Sequence, residues 1–158
     1  MSACRSMDKL FNLAGADVRR GAVARGGELV ARLEHRPLLY RAVLRAIPIA
    51  IPRRFDADAA GDLDALFELR IRDPRGHEPG RFTIKIHDGR CDVRRGGAGD
   101  GVTAVTVAPG DLVRLASAAT GWPELLSSGR LELSGNPFEA LIFPTVFRLP
   151  AERAVAAA

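Results

Sequence analysis

The chain has 158 residues, 47% apolar and 27% charged, a balance that fits one globular domain with its own core and excludes a disordered or membrane-embedded chain. Two cysteines, Cys4 and Cys91, are too few for a disulfide framework and lack zinc-site spacing, so a reducing, cytoplasmic setting with no metal and no cofactor is expected. The net charge of +4 is uneven, since residues 1–55 hold eleven Lys or Arg against four Asp or Glu and the remainder twelve against fifteen.

The basic excess sits in an aliphatic segment poor in aromatic residues, which suits an anionic membrane surface better than nucleic acid. An ordinary solvated helix face is the simpler alternative. Residues 1–54 read as a basic helical extension. Within it, Val18 to Leu33 carry apolar residues at rough helical spacing, weakened by Gly26-Gly27. Pro37 then starts a short amphipathic helix through Leu38, Leu39, Tyr40, Val43, Leu44 and Ile47, which Pro48 and Pro52 are expected to end. Arg41 and Arg45 on its polar side, with Arg53 and Arg54 after it, are the candidates for membrane contact. Ala57 to Gly61 reads as a hinge into a main domain spanning 55–150, with 151–158 as a frayed tail.

From Leu66 the period changes to two. Phe67, Leu69 and Ile71 alternate with Glu68, Arg70 and Arg72, and Phe82, Ile84 and Ile86 alternate with Arg81, Thr83, Lys85 and His87. Asp88-Gly89 is a two-residue hairpin signal, after which Cys91 and Val93 should point inward. The glycine run Gly96 to Gly101 reads as a further hairpin turn before the β-branched stretch Val102–Val107. The spacing predicts strands at 66–72, 81–87, 90–95, 102–107 and 130–134, paired as one antiparallel sheet.

Three helices interleave with the late strands. Pro109 and Asp111 open one whose Leu112, Leu115 and Ala116 share a face, with Gly121 expected as its C-terminal cap. Trp122 begins a second, closed by Gly129. Asn136, Pro137 and Glu139 stand in helix-starting order for the third. That last helix carries Phe138, Ala140, Leu141, Ile142, Phe143, Val146, Phe147 and Leu149 around its whole circumference, so every side should need a cover. The N-terminal helices, a partner subunit and a bound apolar ligand are the candidates. Pro144 should kink it.

No catalytic constellation emerges, and the chain is expected not to be an enzyme. His35, His77 and His87 are scattered, and no Ser or Cys sits in a nucleophile elbow. Alternation turns His87 outward and Cys91 inward, which separates that pair. The Gly96–Gly101 run lacks the Lys and the helix of a phosphate loop. Asp56, Asp58, Asp62 and Asp64 lack the glycine and the terminal glutamate of a calcium loop.

Residues Phe67 to Pro150 resemble the sterol carrier protein type 2 domain. The resemblance rests on Phe67-Glu68-Leu69, the hairpin Ile84 to Arg90, Val105-Thr106-Val107, Asp111-Leu112 and, most specifically, Ser128 to Asn136 before the final helix. It implies an α+β fold, a five-stranded sheet with helices over one face, and an apolar cavity for a sterol, a fatty acyl chain or another lipid. Pro137, Phe138 and Pro144 depart from the usual pattern of the last helix. The N-terminal extension looks somewhat like that of accessory proteins of ubiquinone synthesis, a pointer to isoprenoid quinone precursors. The expected cavity lining is Phe82, Ile84, Leu112, Leu115, Trp122, Leu126, Phe138, Leu141, Ile142 and Val146. The alternative is a homodimerisation or enzyme-docking module that uses the apolar last helix.

Overall fold

The computed structural model describes residues 36–150, together with Arg32. Cys4, the helical reading of Val18–Leu33 apart from Arg32, and the tail 151–158 lie outside the described residues. Within them the chain runs α1 (Pro37–Arg54), α2 (Ala57–Ala60), β1 (Ala65–Ile71), β2 (Gly80–His87), β3 (Arg90–Arg95), β4 (Thr103–Val107), α3 (Pro109–Ala116), α4 (Trp122–Ser127), β5 (Leu131–Ser134) and α5 (Pro137–Val146). No helix among the described residues is long and apolar enough to cross a membrane.

The strands form one sheet in the order β3-β2-β1-β4-β5. Three of its four pairings are antiparallel, as expected, but β1 and β4 run parallel, with Phe67 opposite Thr103 and Ile71 opposite Val107. The hairpin at Asp88-Gly89 forms as read, both residues having positive φ (50° and 68°). The glycine run is not a hairpin. It leaves β3 at one edge and must reach β4 beyond β2 and β1, so it crosses the sheet on the face opposite the helices. Alternation reports which side of a strand is buried and carries no information about partner direction.

Glu68 holds that crossover. Its side chain points to the polar face as alternation requires, yet it is buried beneath the strap. One carboxylate oxygen accepts the Ala98 N–H at 2.8 Å, and the other accepts Arg70 Nε at 2.6 Å, with Arg81 Nε 3.9 Å away. Thr83 Oγ1 adds a bond to the Gly96 carbonyl at 2.9 Å. Burial alone would raise the Glu68 carboxyl, but the Arg70 and Ala98 hydrogen bonds and the two guanidinium charges outweigh it and hold it below its ordinary value.

Helix α1 extends past both of its prolines to Arg54. Each proline removes one N–H from the ladder, but Ile47, Ala50 and Ile51 continue the buried stripe begun by Tyr40 and Val43, and that packing carries the helix on. Tyr40, Val43, Ile47 and Ile51 belong to the same core as the sheet. Residues 37–54, which read as part of an extension, are thus built into the domain. Gly80 marks the contact: a Cβ there would lie 2.6 Å from Leu44 Cδ2.

The segment read as a hinge is the one-turn helix α2, capped by Asp56 Oδ1 accepting from the Asp58 and Ala59 N–H groups, both at 3.1 Å. Gly121 is the N-cap of α4, and the turn after α3 is instead made at Ala118, whose φ is +58°. Helix α5 stops at Val146 rather than Leu149, because Arg148 turns to a φ of +50° and the Leu149 N–H bonds back to the Pro144 carbonyl at 2.8 Å.

Candidate functional site

The inward residues of all the central strands meet the helices in one apolar layer. Phe67, Leu69, Ile84 and Val105 floor it, and Ile47, Leu115, Leu125 and Phe143 cover it. Phe143 stands at the centre of an aromatic chain. It meets Phe67 edge-on with ring centroids 5.2 Å apart, stacks on Trp122 at 5.6 Å and lies 4.7 Å from Phe147, which is 6.1 Å from Phe55. Such pairs add to what burial alone supplies, and here they tie α5 to β1 and α4.

Two polar clamps position the covering helices. Asp111, in the first turn of α3 and 3% exposed, accepts from Arg114 Nη1 at 3.1 Å and from Arg130 Nε at 3.2 Å, with a second bond from Arg130 Nη2. This joins α3 to the start of β5. Thr103, also buried, donates to the Glu139 carboxylate and accepts the Asn136 N–H at 3.1 Å. Asn136 caps α5 as read, accepting from the Phe138 N–H at 3.0 Å. Gly135 allows this approach, since a Cβ there would fall 2.7 Å from Thr103 Cα, and its φ is +97°.

Of the expected lining, Phe82, Ile84, Leu112, Leu115, Trp122 and Val146 come together in this layer. Leu126, Phe138, Leu141 and Ile142 do not. They lie on the outward surfaces of α4 and α5, with Phe138 75% and Leu141 69% exposed. Helix α5 therefore buries Ala140, Phe143 and Val146 and leaves a second apolar stripe in water. Phe143, Phe147, Tyr40 and Ile47, absent from the expected lining, also lie in this layer. A helix apolar all round has no polar face to orient Phe143 and Phe147, and Tyr40 and Ile47 read as part of the extension.

On α1, Arg41, Arg45 and Arg53 are exposed and follow one helical line with the exposed Leu38 and Ile49. No acidic residue lies on that helix. Arg54 turns the other way, and its Nη1 donates to the Ala116 carbonyl at 3.2 Å. Cys91 points inward and is half-buried; burial, and then the Asp92 charge, push its thiol up to about 11. His87 lies outward, between Asp88 and Asp92.

Together these features define an α+β domain whose single mixed sheet carries an apolar layer beneath helices, with no group of metal-ligating residues among the described residues. The model of the SCP-2 sterol transfer family matches residues 51–148, and the chain belongs to that family.

Among solved structures it is similar to palmitated SCP2L2 from Aedes aegypti, at 19% identity over 70% of this chain and 96% of that one, with a TM-score of 0.54. It is similar to sterol carrier protein domain 2 of Helicoverpa armigera at 18% identity over 66% and 82%, TM-score 0.51. A third likeness is to the stereoselective inverting sec-alkylsulfatase of a Pseudomonas species, at 16% identity, over 62% of this chain and 15% of that one, TM-score 0.52. At such identities the likeness is one of fold, and this chain spans only a small part of the sulfatase. A comparison with curated proteins finds no match.

Proposed function

We propose that this domain is a non-catalytic carrier that takes an apolar lipid between its sheet and its helices and exchanges it at an anionic membrane surface. The observation that carries this reading is the two-sided apolar character of α5: Phe143 and Val146 face the layer, while Phe138, Leu141 and Ile142 face out. Such a helix can turn its outward stripe onto a ligand without burying a polar group. Its short length, and Pro144 within it, lower the resistance to that movement. A ligand burying about 350 Å² of apolar surface gains roughly 9 kcal/mol gross, and after the cost of association micromolar affinity remains. A sterol, an acyl chain and an isoprenoid quinone precursor all meet the apolar requirement.

Docking falls to the outward line of α1, where Leu38 and Ile49 alternate with Arg41, Arg45 and Arg53. Each such arginine is worth about 1 kcal/mol at an anionic surface, so replacing Arg41 and Arg45 by glutamine should weaken vesicle binding roughly thirtyfold. Flotation with vesicles of varied anionic lipid content and salt tests this; binding indifferent to both would contradict it. The second reading, a homodimer or enzyme-docking module, draws on the same exposed stripe of α5. A mass that grows with concentration, with no lipid extractable from the protein, would favour it.

A further inference from the structure

Helix α5 shows water a face without charge. Its exposed residues are Pro137, Phe138, Leu141, Ile142 and Thr145, and the helical period puts them on one side. Glu139, the one ionisable residue of the helix, is half-buried and is drawn away to the Thr103 hydroxyl. The opposite line, Ala140, Phe143 and Val146, is fixed in the core. No other helix among the described residues exposes three large apolar side chains; α1 exposes two, with arginines between them.

The size and chemistry of this face decide what can cover it. Taking about 200 Å² for each side chain in full, Phe138, Leu141 and Ile142 leave roughly 350 Å² of apolar surface in water. A stable protein interface takes about 800 Å² from each partner, with a hydrogen bond for roughly every 100–200 Å². Here the Thr145 hydroxyl is the only side chain on the face that could make one. The patch is too small and too uniform to select a second copy or another protein. The acyl region of a bilayer needs neither area nor register, and asks only that no charge be carried into it.

We propose that in the unloaded domain the outward stripe of α5 enters the acyl region of the bilayer, and that a bound lipid withdraws it, so that loading releases the domain from the membrane. This rests on the carrier reading above, in which the same stripe turns onto the ligand. One stripe cannot face both, so each occupant opposes the other. By linkage, the factor by which ligand weakens vesicle binding is the factor by which vesicles weaken ligand binding. The arginines of α1 bring the domain to the headgroups, and α5 reports whether it carries cargo.

The test uses the full chain and vesicles of phosphatidylcholine and phosphatidylglycerol with brominated acyl chains, which quench a tryptophan that reaches them. The single native tryptophan, Trp122, is 6% exposed and serves as the background. In a Phe138→Trp variant with an unchanged unfolding midpoint, emission should be quenched on these vesicles, while wild-type emission stays the same. Phe138→Ser should lower vesicle affinity at least tenfold. A saturating fluorescent fatty acid should lower the vesicle affinity of the wild type by a similar factor. Vesicle-bound Phe138→Trp protein with unquenched emission overturns the insertion, and vesicle affinity indifferent to the fatty acid overturns the release. A concentration-dependent mass that Phe138→Ser abolishes would give the stripe to a second copy instead. If the wild type binds no fatty acid in the absence of vesicles, the carrier reading fails and the release with it, and quenching on vesicles alone would still support the insertion.

Discussion

Replacing Leu141 by aspartate separates folding from binding. Leu141 is 69% exposed, so a carboxylate there meets water, and the fold should lose no more than about 0.5 kcal/mol, as for ordinary surface changes. If α5 turns its outward stripe onto the ligand, the variant forgoes about 1.5 kcal/mol of leucine burial. It must also desolvate an unpaired charge at several kcal/mol. A combined loss of at least about 4 kcal/mol is close to a thousandfold in Kd. Thermal unfolding should therefore match the wild type, while titration with a fluorescent fatty acid should show no saturable binding at micromolar protein. A folded Leu141→Asp protein with unchanged affinity would refute the role given to α5.

Glu68→Gln should destabilise the domain by about 1.5–3 kcal/mol, the value of a hydrogen bond to a charged group. Because the Glu68 carboxyl is held below its ordinary value, that stability is present above its unfolded pKa of about 4.3 and is lost as pH falls through the lower folded value. Denaturant unfolding of wild type and variant should thus show a gap at pH 7 that closes in acid, and a gap constant down to pH 3 would count against the strap account. Gly135→Ala combines a backbone clash with Thr103 and a φ of +97°, so its midpoint should fall by the equivalent of more than about 1 kcal/mol; a neutral result would mean that the β5–α5 turn relaxes freely. In a Cys4→Ser background, alkylation of Cys91 should keep accelerating up to a pH of about 11, whereas a rate that levels off below pH 9 would place the thiol in open solvent.

Much of this architecture is legible in the residues. Alternation places Phe67, Leu69, Ile84 and Ile86 inward, Asp88-Gly89 marks the hairpin, and Asn136 marks the start of α5. What escapes is decided by contacts distant in sequence. The parallel pairing of β1 and β4 depends on a crossover that local turn signals cannot distinguish from a hairpin, and Glu68 looks like a solvent residue until Ala98 is laid over it. Pro48 and Pro52 act as helix breakers in isolation, but tertiary packing of Ile47 and Ile51 overrides them. At the site, Phe82, Ile84, Leu112, Leu115 and Trp122, gathered in the layer, come from strands and helices with a clear polar side. Phe138, Leu141 and Ile142 come from a helix without one, where a count of apolar residues shows surplus but not direction. Arg54 differs from Arg53 only by its angle around α1, and that angle separates an exposed arginine from a half-buried one.

Whether the domain carries an apolar lipid is read most directly by native mass spectrometry of the freshly purified full chain followed by organic extraction. A discrete added mass that disappears on extraction and is recovered as one chemical class of lipid is the expected result. A protein that flies at its bare mass, yields no lipid, and stays unliganded after incubation with fatty acid would contradict it.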